Sequence, residues 1–191
     1  ASGGIHRNGR ANRLPWDAAA GRFRLPLAGK LSLFRMGRTN SMAEFERSTV
    51  VACPLEEVFD FLRRPDNIVK ISPPEMGLNF VAAPEAVELG SILEFKVLAR
   101  GQVQHLAHEI IQFDRPSRFV EKQVRGPFKF WEHEHIFEAD SEGVTVIDRI
   151  TFQPPGGLIG LLVTEDKILD SLDDGFAHRH AQLQQLLGGS V

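Results

Sequence analysis

Between residues 78 and 153, six β-like stretches follow one another with only short turns between them, and this succession constrains the fold most. They are Leu78–Val81, Ile92–Ala99, Gln102–Phe113, Arg118–Val124, Lys129–Glu138 and Val144–Gln153. The separators are Gly90-Ser91, Arg100-Gly101, Asp114-Arg115-Pro116-Ser117, Gly126-Pro127 and Ser141-Glu142-Gly143. Parallel neighbours need a long crossover, so short links predict an antiparallel meander.

The flanks are different. Glu44–Ala52 alternates and reads as a strand, and Cys53-Pro54-Leu55-Glu56-Glu57 then opens a helix. Proline suits a first helical turn, and the two glutamates favour the positive end of its dipole. Leu55, Val58, Phe59 and Leu62 continue at helical spacing up to Pro65, and Asp66–Ile71 predicts a second short helix. After Pro154-Pro155-Gly156-Gly157, residues 158–187 read as helical with a break near Val163-Thr164. Leu172, Phe176, Leu183 and Leu187 share one face of that helix, with His180 among them. The predicted class is therefore α+β, a sheet whose apolar face is covered by the terminal helix.

Composition narrows the function. With 191 residues the chain can bury one real core, and 42% hydrophobic with 25% charged residues are ordinary globular values that suggest neither disorder nor a fibrous fold for the chain as a whole. No apolar run approaches the ~18 residues of a membrane span. Cys53 is the only cysteine, so neither an intramolecular disulfide nor a cysteine zinc cluster can form. That favours a reducing, cytoplasmic setting, and Cys53 reads as a buried or capping residue rather than a nucleophile. Residues 1–41 carry eight Lys/Arg against Asp17, a charge of +7, whereas residues 42–191 carry 14 against 24 acids, a charge of −10. The acidic body argues against nucleic acid as a partner. The Arg-rich, acid-poor first 41 residues have the composition of a transit peptide or a basic arm. They are expected to be a disordered extension or a mis-assigned start, with the domain running from 42 to 191.

Several strings then carry a resemblance. They are Pro54–Leu62, Pro65-Asp66-Asn67, Ile71-Ser72-Pro73-Pro74, Gly126-Pro127-Phe128, Trp131–Glu138, Thr145–Arg149 and Phe176-Ala177-His178-Arg179. In this order they resemble the START-like, or helix-grip, superfamily (SRPBCC), and within it the ligand-binding and polyketide cyclase/dehydrase-like branch. The likeness spans 44–187. It implies a curved seven-stranded antiparallel sheet gripping the C-terminal helix, with a deep apolar pocket between them. Relatives bind lipids, steroids, quinones or polyketides, and some catalyse cyclisation.

The most informative chemistry lies in the 129–153 hairpin. Alternation places Trp131, His133, His135 and Phe137 on one face of its first strand. On the return strand Val144, Val146, Asp148, Ile150 and Phe152 form the more apolar set, which is placed inside. Pairing Phe137 with Val144 sets His133 opposite Asp148 and Glu132 opposite Arg149. A carboxylate beside an imidazole can orient it for proton transfer or for contact with a ligand, or can merely satisfy two buried polar groups. Glu132 and Glu134 fall on the outer face, where Arg149 can partner one of them. The His133-x-His135 spacing would need a third metal ligand such as Asp148 or Glu109. It is a weak signal alone, and no metal or cofactor is assigned. His105 and His108 differ in parity and should face opposite ways.

The ligand-contact set is thus Trp131, His133, His135, Asp148 and Ile150. Phe95, Val97, Phe113, Leu172 and Phe176 join it as apolar lining. The chain has no tyrosine, so polar recognition falls to other side chains. The expected function is binding of a small hydrophobic or amphipathic molecule. The alternatives are a cyclase or dehydratase in which His133 is the acid/base and Asp148 its orienter, and a protein-interaction module.

Overall fold

The computed structural model describes residues 42–99 and 101–189, together with backbone pairing of 16–17 with 22–23. The chain divides into two units, Ala1–Arg38 and Thr39–Val191. Apart from that one pairing, the expectation for residues 1–41 falls outside the described residues.

In the second unit the elements run β1 (Ala43–Val51), α1 (Leu55–Leu62), α2 (Pro65–Ile71), a 3-10 turn (Pro74–Met76) and β2 (Asn79–Ala82). Strands β3 (Ile92–Ala99), β4 (Gln102–Asp114), β5 (Arg118–Arg125), β6 (Phe130–Asp140) and β7 (Gly143–Gln153) follow. Helices α3 (Gly157–Leu162) and α4 (Glu165–Leu187) end the chain. All seven strands form one antiparallel sheet in the order β1-β7-β6-β5-β4-β3-β2. The meander, the two short helices and the long terminal helix are those the sequence predicts. The terminal helix is broken between Leu162 and Glu165, where the Val163-Thr164 signal lies. The 3-10 turn was not anticipated.

Alternation explains which face is inside. Along β7, Val144, Val146, Asp148, Ile150 and Phe152 are all buried. Ile168, Phe176, Leu183 and Leu187 of α4 are buried too, with His180 on the same side. At the other end of the core Phe59 of α1 meets Phe113, Phe119 and Phe137 with ring centroids 5.5, 5.9 and 5.2 Å away. Among the described residues no helix is long and apolar enough to cross a membrane.

One expectation needs correcting. The β6–β7 hairpin is tighter than the Phe137–Val144 pairing assumed: Asp140 pairs with Gly143 and Ala139 with Val144. Consequently His135, not His133, stands opposite Asp148, and Glu134, not Glu132, stands opposite Arg149. The slip is two residues, so each side chain keeps its face. The turn itself supplies the reason. The Glu142 amide donates to Asp140 Oδ1 at 2.7 Å, and Gly143 takes φ +135°, which suits glycine.

Candidate functional site

Between the sheet and α4 lies a cavity of about 270 Å³. The α1–α2 segment, the 3-10 turn, β2 to β7 and α4 all contribute to its wall, which is mostly apolar. Of the residues singled out in the sequence, Trp131, His133, His135 and Ile150 line it from β6 and β7, Phe95 and Val97 from β3, and Leu172 and Phe176 from α4. Two do not. Phe113 belongs to the aromatic core, where it packs on Phe59 and on Phe119. A bulge between Ile110 and Gln112 turns Phe113 onto the same inner face as the cavity-lining His108, but at the end of β4 that Phe59 and Phe119 fill. Asp148 is inward but stands behind the histidines, fully buried.

The polar wall is a connected group. His133 Nε2 is 2.8 Å from Asp148 Oδ1, and its Nδ1 is 3.1 Å from Glu121 Oε1. Asp148 Oδ2 lies 2.8 Å from His180 Nε2. His135 Nδ1 is 3.1 Å from Asp148 Oδ1 but is off-angle, so that nitrogen makes no hydrogen bond. His108 Nδ1 is likewise 3.4 Å from Glu121 without a hydrogen bond. Arg179 closes the group 3.9 Å from Asp148, with its guanidinium over the Phe176 ring.

These contacts set the charges. Burial disfavours ionised Asp148, but the Arg179 charge and the His133, His135 and His180 contacts outweigh it and hold its carboxyl well below the usual range. Burial likewise opposes ionised Glu121, yet His108, His133 and His135 hold it well below its ordinary value. For His133 burial acts against the imidazolium, and hydrogen bonds to Asp148 and Glu121 reverse the balance and raise it. His135 is pushed down, first by burial and then by the charge on His133. Two buried carboxylates are thus held ionised, one of them beside the Arg179 guanidinium, while the charged form is favoured at His133 and disfavoured at His135.

Four members of this group were not singled out as site residues: His108, Glu121, Arg179 and His180. His180 was visible as the polar residue in the apolar stripe of α4. Glu121 had no such signal, because Phe119 and Val120 are adjacent and both buried, which hides the inward parity of β5. Glu109, weighed as a metal ligand, pairs with the exposed Ile92 on the outer face. His105 is exposed and His108 buried, on opposite faces as expected. Outside, Arg149 binds Glu46 at 2.8 Å and Glu134 at 3.0 Å, and Arg118 also reaches Glu134.

The family described as Domain of unknown function (DUF8410) matches residues 81–187, which hold every member of the buried polar group. No curated protein matches the chain in sequence. Among solved structures, Ara h 8.0201 is similar with a TM-score of 0.57 and 13% identity over 77% of this chain and 98% of that one. Ginseng major latex-like protein 151 from Panax ginseng gives 0.55 and 16% over 73% and 96%. The di-domain ARO/CYC StfQ from the steffimycin biosynthetic pathway gives 0.60 and 15% over 78% of this chain and 50% of that one. With the strand order, these likenesses show the helix-grip fold.

Proposed function

We infer that this chain, which belongs to the family described as Domain of unknown function (DUF8410), takes up a small hydrophobic or amphipathic molecule in the cavity between sheet and α4. One observation carries the reading: an apolar cavity with a connected, hydrogen-bonded polar group in its wall. Apolar lining removes ligand surface from water, worth about 25 cal/mol per Å² before association costs. A few fixed polar groups set orientation, as in small-molecule sites generally. Ara h 8.0201 and StfQ share the architecture, which supports a binder without naming its ligand. A lone, buried Cys53 fits a reducing, cytoplasmic setting.

A cyclase- or dehydratase-type reaction is the second reading, favoured by imidazoles at the cavity surface. In it the acid/base role falls to His135 rather than His133. His133 spends both nitrogens on carboxylates and has no free lone pair, whereas His135 is the neutral imidazole.

Native mass spectrometry of protein purified without denaturation tests the binder reading, with extraction of anything bound. Thermal shift against lipids, quinones and aromatic polyketides follows, since a ligand that binds only the folded state raises the melting temperature. A stoichiometric organic molecule, or a saturable shift, is expected. An empty protein that responds to no member of the panel refutes it.

A further inference from the structure

We propose that Glu121, His133 and His135 together hold a first-row divalent transition-metal ion at the polar wall of the cavity. His133 and His135 are two apart on β6 and so project to one face. Glu121 comes from β5, where it is paired directly with His133. One donor atom from each lies within 4.8 Å of the others. His133 Nδ1 is 3.1 Å and His135 Nε2 3.8 Å from Glu121 Oε1. An ion holding ligands at 2.0–2.2 Å in tetrahedral array sets them roughly 3.3–3.6 Å apart, which these distances bracket. A cation would take the place of the His133–Glu121 hydrogen bond.

The chemistry of the donors agrees. Two imidazoles and one carboxylate suit zinc in open sites and iron(II) or its neighbours in a facial arrangement. Asp148 Oδ1 also stands behind the site: it hydrogen-bonds His133 Nε2 at 2.8 Å and lies 3.1 Å from His135 Nδ1, off-angle and without a hydrogen bond. A carboxylate behind the ligating histidine fixes its tautomer and orientation. Asp148 is itself held by His180. Buried His108 Nδ1, without a hydrogen bond, stands 3.4 Å from Glu121 and is within reach as a further ligand or as a clamp on the carboxylate. All three donors line the cavity, so the remaining coordination positions open toward whatever fills it. The ion would need no organic ligand in order to bind.

The test uses the untagged full chain, stripped with a chelator and titrated with Co²⁺, followed by visible absorption, and with Zn²⁺, followed by calorimetry. One ion per chain is expected, with X-ray absorption of the zinc-loaded wild type showing imidazole ligands. Glu121→Gln, which keeps the side chain's shape, should weaken binding by more than the roughly 10–100-fold that losing an outer-shell partner costs. His135→Gln should do the same, while His105→Ala on the outer face should change nothing. Thermal unfolding of each stripped variant checks its fold, and the wild-type absorption spectrum decides the ligand set should neither variant fold. Uptake that survives both ligand substitutions in folded protein, or a spectrum without imidazole, overturns the proposal. A stripped protein that takes up organic probes but neither metal overturns the ion site alone and leaves the cavity's proposed function standing.

Discussion

Asp148 is the carboxylate at the centre of the buried polar group. It accepts hydrogen bonds from His133 and His180 and sits near Arg179 at zero exposure. Asp148→Asn would take the carboxylate away from Arg179, His133 and His180. Breaking a buried pair costs about 3–5 kcal/mol, and a loss in that range is expected from urea unfolding. Its sequence neighbour makes the control. Arg149→Ala removes an outer-face guanidinium bound to Glu46 and Glu134, both solvent-screened contacts, and should cost no more than ~1 kcal/mol. Equal losses at the two positions would contradict the inward–outward assignment of β7. Cys53 offers a second residue-scale check. Burial, then a hydrogen bond and charge from Glu57, pushes its thiol above the ordinary value, and only the thiolate is a nucleophile. Iodoacetamide should label the native protein at neutral pH far more slowly than the urea-unfolded chain. Comparable rates would place the thiol in solvent.

At the scale of elements, the strands, the helix break and the inward set of β7 were legible because each depends on local periodicity and on turn residues. Register was not, because it depends on which residues close the turn. Counting Ser141-Glu142-Gly143 as the loop and pairing Phe137 with Val144 moved every cross-strand partner by two. The geometry of Gly143 corrects this and makes a prediction. A Cβ there would meet Val51 O at 2.2 Å, and φ is already +135°. At Gly101, in the β3–β4 turn, φ is +71° but nothing lies within 4 Å. Gly143→Ala should therefore destabilise clearly more than Gly101→Ala, which carries only the conformational cost of roughly 1–2 kcal/mol for a left-handed residue. Melting temperatures of the two variants measure the gap, and its absence would mean that the hairpin end is free to shift away from Val51.

For the whole molecule, the cavity was legible only through resemblance, since periodicity marks a buried face and cannot say whether that face is filled. Of the expected apolar contacts, Phe95, Val97, Trp131 and Ile150 sit on regular strands and lie in the cavity wall. Phe113 also faces inward but packs in the aromatic core against Phe59 and Phe119. The polar wall was half legible. A hairpin brings His133, His135 and Asp148 together from nearby sequence, whereas Glu121, His108 and His180 arrive from other elements and need the tertiary fold. This division suggests a way to separate uptake from stability. Val97 lines the cavity from β3 yet remains partly exposed, near the sheet edge rather than in the packed interior. Val97→Trp adds volume where the structure has space, so the overpacking cost should fall at or below the ~1–3 kcal/mol usual for filled cores. The same ring would occupy part of a cavity of only about 270 Å³. Organic uptake by native mass spectrometry should fall sharply while the unfolding midpoint stays close to that of the wild type. If uptake persists in a folded Val97→Trp protein, the ligand enters or sits elsewhere, and the space beside β3 is a packing gap rather than a binding site.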